Sequence, residues 1–231
     1  MSLLQQNPTD GTFGRGGDEP YARAIRNEVP GGLALREARP GSADTGARLD
    51  LDFGKWTSDA DAVDHSLLRH ARGPVLDIGC GPGRMVRAAG RLGLVALGLD
   101  VSPEVVALAR GGGVAVALGS VFERVPAEGL WGTVLLIDGN VGIGGDVAAL
   151  LVRCREILAP SGVLIVEVHP DDDRDHSYSA TVVDTDGAQS GEFPWAEVGV
   201  THLTDLALAS GYTVDRAFTA GTRRFCRLTR I

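Results

Sequence analysis

The chain of 231 residues carries 30 acidic against 22 basic side chains, a formal net charge of −8, and 44% hydrophobic residues. That size and apolar content suit one α/β domain with additions, and the acidic balance argues against a nucleic-acid partner, whose backbone demands clustered Lys and Arg. No leader of basic then apolar residues opens the sequence, and no apolar run nears the roughly 20 residues of a membrane span, so a cytoplasmic protein without a membrane partner is expected.

The first part, to about Gly17, is polar and glycine-rich and reads as mobile. Asp18 to Val29 has the spacing of a short helix with Tyr21, Ile25 and Val29 on one face, stopped by Pro30-Gly31-Gly32. A charged, glycine-containing stretch follows to Gly54. Thr57-Ser58-Asp59 then offers an N-cap for a helix to about His70, with Val63, Leu67 and Leu68 as its apolar side. Residues 1–56 therefore read as a mobile N-terminus and a helical cover, and 57–231 as the main domain.

From Gly73 onward, short apolar runs alternate with helical patterns. Strands are expected at Pro74 to Ile78, Leu94 to Leu99, Val114 to Leu118, Thr133 to Ile137 and Gly162 to Val168. The helices between them run to Leu92, from Ser102-Pro103-Glu104 to the Gly111-Gly112-Gly113 stop, and from Asp146 to Leu158. Such alternation implies a parallel sheet covered on both faces. After His169 the regularity breaks. Ser177 to Asp184 and the turn Thr185-Asp186-Gly187 read as a hairpin insertion near 177–193, ending at Phe193-Pro194-Trp195. A helix from Thr201 to Ser210 and two strands, Tyr212 to Phe218 and Arg224 to Thr229, complete the chain; the strands pair as an antiparallel hairpin.

One run carries the most chemistry: Val75-Leu76-Asp77-Ile78-Gly79-Cys80-Gly81-Pro82-Gly83-Arg84. It reads as a strand, a glycine turn and a helix N-terminus, where a ligand lies against bare backbone and negative charge is favoured. A dinucleotide fold prefers G-x-G-x-x-G; here the third glycine comes one place early and an acid, Asp77, precedes the first by two. The pattern D-x-G-x-G-x-G resembles the cofactor loop of the class I S-adenosylmethionine-dependent methyltransferases. The resemblance implies an α/β fold: a doubly wound, mostly parallel seven-stranded sheet, an antiparallel C-terminal strand and helices on both faces. It implies S-adenosyl-L-methionine as cofactor, with the methionine part held by Asp77, Gly79, Cys80, Gly81 and Gly83. It covers Gly73 to Ile231 and leaves the residues before about Trp56 unexplained.

Further marks follow in order. Asp100 closes the second strand, with Val101 beside it, where an acid accepts two ribose hydroxyls. NAD-binding folds use the same position, so an NAD-dependent oxidoreductase remains an alternative, as does a non-catalytic cofactor-binding module. After the third strand, Ser120 and the Val121 backbone stand where the family reads adenine, although Ser120 departs from the usual acid. After the fourth come Asp138-Gly139-Asn140 and a glycine-rich loop to Gly145, read as letting cofactor and acceptor approach the backbone. The loop lacks the N/D-P-P-Y/F/W signature of enzymes that methylate base amines or glutamine amides. His169 ends the fifth strand at the ligand edge, where a neutral imidazole is placed to take a proton from the acceptor. Trp56, Asn140 and Trp195 are the candidate walls for a small-molecule methyl acceptor. The remaining histidines and Cys80, Cys154 and Cys226 have no metal or disulfide spacing, and no metal is expected. Arg223-Arg224 and Arg227 fit a solvated strand edge. Oligomeric state is left open.

Overall fold

The structure is a computed structural model that describes residues 13–14, 19–26, 32–38 and 48–231. The mobile reading of the N-terminus and the helical position of Val29 fall almost wholly outside these residues. The described elements begin with α1 (Pro20–Ile25), β1 (Leu33–Glu37), β2 (Arg48–Leu51), α2 (Phe53–Thr57) and α3 (Ala62–Leu68). The regular region then supplies β3 (Val75–Ile78), α4 (Arg84–Arg91), β4 (Ala96–Asp100), α5 (Pro103–Gly111), β5 (Val116–Leu118) and β6 (Trp131–Leu136). A single 3₁₀ turn at Asn140–Gly142 leads to α6 (Val147–Ile157), β7 (Leu158–Val168), β8 (Asp175–Val183), β9 (Phe193–Val198), α7 (Val200–Ala209), β10 (Tyr212–Ala220) and β11 (Arg223–Arg230).

Seven strands form the main sheet in the order β10-β11-β7-β6-β3-β4-β5. β11 is antiparallel to both of its neighbours, and the pairings among β7, β6, β3, β4 and β5 are all parallel. The central strands are buried on both faces, as parallel strands covered by helices must be: every residue of β3 is buried, whereas the edge strand β5 exposes Leu118. α4 turns Met85, Val86, Ala88 and Ala89 onto the sheet. Ser102 caps α5 by accepting from the Val105 N–H, and Asp146 caps α6 by accepting from the Ala149 N–H at 2.9 Å. The fold expected from the sequence is the fold observed.

The second sheet departs from the sequence reading. Four antiparallel strands run in the order β2-β1-β8-β9. The expected β8–β9 hairpin is present, but β1 is its partner on the other side, with Ala34 opposite Val183 and Leu35 opposite Val182. The stretch before Gly54, read as a charged connection, therefore supplies two strands. Arg48-Leu49-Asp50-Leu51 does alternate polar and apolar, and this is the signal that marks β2. The cover is thus a sheet with short helices, not a helical cap. The helix expected from Thr57-Ser58-Asp59 is also corrected. α2 ends at Thr57, and α3 starts afresh behind Asp61, whose carboxylate accepts from the Asp64 N–H at 2.8 Å while Asp64 accepts from the Asp61 N–H at 3.1 Å. This reciprocal capping box outcompetes Ser58, which instead ends α2 as its C-cap, because it satisfies two orphan donors at once.

β9 docks directly on the turn after β6. A Cβ at Gly142 would collide with the Ala196 carbonyl and come within 2.8 Å of the Trp195 ring; one at Gly145 would meet Pro194 at 2.8 Å. The glycine-rich loop was read as making room for ligand. Two of its glycines instead make room for the cover strand.

Candidate active site

A cavity of about 240 Å³ lies between the C-terminal ends of β3, β4 and β6 and the cover. Its floor is built from Asp77, Gly79, Cys80 and Gly81 after β3, Asp100 and Val101 after β4, Ser120 and Val121 after β5, and Asp138, Gly139 and Asn140 after β6. Trp56 and Trp195 stand in the walls. The sequence-derived positions thus converge on one place, with two exceptions, Gly83 and His169, which the lining does not include.

Gly83 is the N-cap of α4 in the left-handed region, at φ 85°, and a Cβ there would strike Val114 at 2.5 Å. It is glycine so that the helix can start and pack, not so that a ligand can approach. His169 sits where the chain leaves β7 for the hairpin. Its Nδ1 accepts from the Asp171 N–H at 3.1 Å, and its own N–H donates to the Val198 carbonyl at 2.9 Å. The turn into β8 uses the imidazole, and the ring does not reach the cavity.

The turn itself is pinned from β4. The Asp100 carboxylate accepts the Gly81 N–H at 3.0 Å through Oδ2 and the Ser102 N–H at 2.9 Å through Oδ1. Burial raises its pKa, and these backbone bonds work against the rise. Each oxygen keeps lone-pair capacity toward the cavity. Gly81 has φ 54°, and the one atom within 4 Å of a Cβ there is the Tyr21 hydroxyl at 4.0 Å, so a side chain would project into the cavity. Cys80 is buried beside Gly98; burial, then Asp100 and Asp77, push its thiol far above the ordinary range, and an inert packing thiol results.

Asp77 has a different environment. It is 3% exposed, and its carboxyl makes no hydrogen bond among the described residues. Burial, then the nearby Asp138 carboxylate, raise its pKa to about 8 against the pull of Arg84. A buried acid without a partner fits a ligand that brings a cation, and the glycine turn beside it fits a ligand that lies along backbone. Both are properties of S-adenosylmethionine, so the residues present fit the implied cofactor.

Asp138, expected at the cofactor side, lines the cavity. Its carboxylate is surrounded by cations: Lys55 Nζ at 2.9 Å, Arg223 at 3.2 Å and Arg84. Its own N–H donates to Glu167 at 2.7 Å, and its φ is 57°, a left-handed conformation rare outside glycine. Arg84 continues to Asp64, which is fully buried, and Arg223 bridges Asp64 at 2.7 Å and Glu167 at 2.6 Å. Lys55, Arg84 and Arg223 thus neutralise Asp64, Asp138 and Glu167 in one network beneath the cavity. Arg223 is 11% exposed at its side chain, so the solvated-edge reading fails for it. Burial opposes its charge, and the Glu167 bonds outweigh that and raise its pKa. Nothing in the sequence announces this network, because its members come from five elements. Asn140 is likewise committed: its amide donates to the Ile78 and Gly79 carbonyls at 2.8 and 3.0 Å and clamps the two loops together.

The cover contributes side chains that sequence reasoning passed over. Phe13, Tyr21, Leu35, Leu51 and Phe193 join Trp56 and Trp195 around the cavity. Tyr21 was legible only as one face of a helix, and Phe193 only as the end of a hairpin.

Comparison with known proteins agrees with this architecture. Residues 76–166 match the family described as a methyltransferase domain. No curated protein matches the chain. A S-adenosylmethionine-dependent methyltransferase from Bacteroides fragilis, solved with S-adenosyl-L-homocysteine, superposes with a TM-score of 0.72 at 17% identity over 90% of this chain and 91% of its own. The 1,6-didemethyltoxoflavin-N1-methyltransferase of Burkholderia thailandensis gives 0.56 at 19% identity over 76% and 80%. CalS10, an amino pentose methyltransferase from Micromonospora echinaspora, gives 0.52 at 20% over 72% and 88%. At these identities the structural likeness is one of fold. The methyltransferase match spans β3 to β7, with the glycine turn at its head, and the fold is the one that these S-adenosylmethionine-dependent methyltransferases share.

Proposed function

We propose that this chain is an S-adenosylmethionine-dependent methyltransferase of the class I family and that it acts on a small molecule held between the main sheet and the cover. One observation carries the reading: the cavity over the glycine turn is lined on its cover side by five aromatic side chains from four segments, Phe13, Tyr21, Trp56 and, on β9, Phe193 and Trp195, the kind of concave apolar wall that suits a small molecule. The toxoflavin and amino pentose methyltransferases that share the fold act on small molecules, in keeping with this reading. Bound S-adenosylmethionine supplies a methyl group made electrophilic by its sulfonium.

In this reading each residue has a definite task. Asp100 takes the ribose hydroxyls with the lone pairs its backbone bonds leave free. Ser120 and the Val121 backbone hold adenine. Asp77 faces the ammonium of the methionine part, with Gly79, Cys80 and Gly81 as its bed. Asp138 and Gly139 present backbone to the cofactor, and the cation network beneath holds that backbone still. Trp56 and Trp195 wall the acceptor and exclude water, so alignment and desolvation supply the rate. Asn140 acts through the loops it clamps, and His169 has no part in proton transfer. The N-terminal elements and the hairpin form the acceptor side, and the main domain forms the cofactor side.

Titration calorimetry with S-adenosylhomocysteine tests the site. The wild-type chain should bind, and Gly81→Val should not, while its circular dichroism stays that of the folded protein. Full binding by the variant would overturn the assignment of the turn.

A further inference from the structure

The acceptor half of the cavity differs from the cofactor half in charge. Its walls are Tyr21, Trp56, Phe193, Trp195, Leu35 and Ile143. The rings meet edge-on or tilted, with Tyr21 and Trp56 at 6.1 Å and Phe193 and Trp195 at 6.0 Å between centroids. Three acids line the cavity, and Asp77, which makes no hydrogen bond among the described residues, is the one assigned to the cofactor's ammonium. Asp100 holds two backbone N–H groups, and the cations beneath the cavity surround Asp138. Arg84 is the one cation among the described lining residues, and both its terminal nitrogens are bound, to Asp64 and to Asp138. No histidine, lysine or glutamate joins the described lining.

Two consequences follow for the acceptor. An anionic group would leave water for apolar walls that offer it no free counter-charge among the described residues. A hydroxyl or thiol nucleophile would have to lose its proton, and with Asp77 given to the cofactor no free base stands at the acceptor side among the described residues to receive it. A neutral nitrogen needs neither help. Apolar walls also disfavour a protonated amine and so keep its lone pair available. Two polar tips, the Tyr21 hydroxyl and the Trp195 indole N–H, make no hydrogen bond among the described residues and belong to residues lining the cavity. Such tips orient a flat ligand that carries a few polar atoms.

We propose that the acceptor is a flat, uncharged, largely apolar molecule, and that its nucleophile is a neutral nitrogen. This rests on reading the cavity as the joint cofactor and acceptor site. The nitrogen lone pair forms the new N–C bond as the S–C bond breaks, the sulfur keeps that electron pair, and the cationic product passes its proton to water on release.

Three probes of one shape separate the possibilities: 6-aminoquinoline, 6-hydroxyquinoline and quinoline-6-carboxylate. Binding is measured by calorimetry on protein saturated with S-adenosylhomocysteine, and methyl transfer with labelled S-adenosylmethionine. The amino and hydroxy compounds should bind at least tenfold more tightly than the carboxylate. Because each probe also carries a ring nitrogen, the methylated atom is located in the product by mass spectrometry: transfer to nitrogen should be at least tenfold faster than transfer to the hydroxyl oxygen. Trp195→Ala should weaken binding of aminoquinoline at least tenfold and leave affinity for S-adenosylhomocysteine within twofold. Equal or tighter binding of the carboxylate, preference for the hydroxyl, or no binding of any quinoline to protein that does bind S-adenosylhomocysteine would each overturn the proposal. Failure to bind S-adenosylhomocysteine at all would instead overturn the underlying reading of the site.

Discussion

The two sheets of this protein are held together in different ways. In the parallel part of the main sheet, β3 to β7, each strand is followed by its own helix or turn, so the contacts that bury it lie within a few tens of residues. In the cover, β1 pairs with β8, whose residues come from beyond the whole parallel region. Loop-closure entropy makes such distant pairing costly until the main sheet has brought the ends together. On this ground the parallel part of the main sheet is expected to form before the β1–β8 pairing. The division has a counterpart in the chemistry we assign. In the proposed reading, backbone turns of the main sheet receive the cofactor and side chains of the cover receive the acceptor. Local sequence specifies the part that matches the methyltransferase domain, and long-range pairing specifies the cover.

The strongest way to break that comparison is to attack the joint between the two regions. Arg84→Met leaves Asp64 buried with one partner fewer; removal of one side of a buried pair costs about 3–5 kcal/mol of stability. Urea denaturation measures it, and a loss below about 1 kcal/mol, the range of exposed pairs, would show that the network is not a structural joint. Asp100→Ala comes next. It should weaken S-adenosylhomocysteine binding by roughly 2–4 kcal/mol, since bonds to a charged group are worth about 1.5–3 each and do not add fully. Calorimetry would also reveal whether acceptor affinity falls equally, an outcome that erases the division between cofactor and acceptor sides.

The pH dependence sharpens the cofactor side alone. The folded-state pKa of Asp77, about 8, lies above the value of about 4 of an unfolded aspartate. The folded protein then binds the extra proton, and the stability associated with it is present below about pH 4 and is lost as pH rises through about 8. Asp77→Asn should flatten that decline in a series of melts; an unchanged slope would remove Asp77 as its source. If Asp77 meets the cofactor's ammonium, affinity for S-adenosylhomocysteine should rise with pH over the same window in the wild type and not in the variant. The smallest effect is expected at Lys55→Met, which removes a partly exposed ion pair worth up to about 1 kcal/mol. Because Lys55 belongs to the cover, the variant should raise the KM for acceptor more than that for S-adenosylmethionine.

The positions that were legible share a physical basis. Val75 to Gly83 declares itself because a buried strand needs consecutive apolar residues and the turn after it needs glycines, whatever the rest of the chain does. Ser102-Pro103 announces α5 for the same local reason. Asp100 is legible because it closes β4, the strand next to β3. Illegible positions depend on partners far away in sequence. Arg223 and Asp64 meet across 159 residues, and either residue alone is an ordinary surface type. Gly142 looks like a ligand-facing glycine until β9 is placed on it. His169 stands at the right end of the right strand, yet the turn that follows it claims the ring.

The sequence by itself determined the parallel sheet, the helix starts, the cofactor turn and the acid that closes β4. Those features rest on interactions between near neighbours, such as hydrophobic periodicity, capping and backbone conformation at glycine. Only the tertiary structure decided that β1 and β2 join the hairpin in a second sheet, that Asp138 is surrounded by cations, and that five aromatic rings from four segments line one cavity. Each of these is a meeting of groups whose approach is governed by packing of the whole chain. A charge or a ring carries no mark of the partner it will meet until the sheet has carried both to the same place.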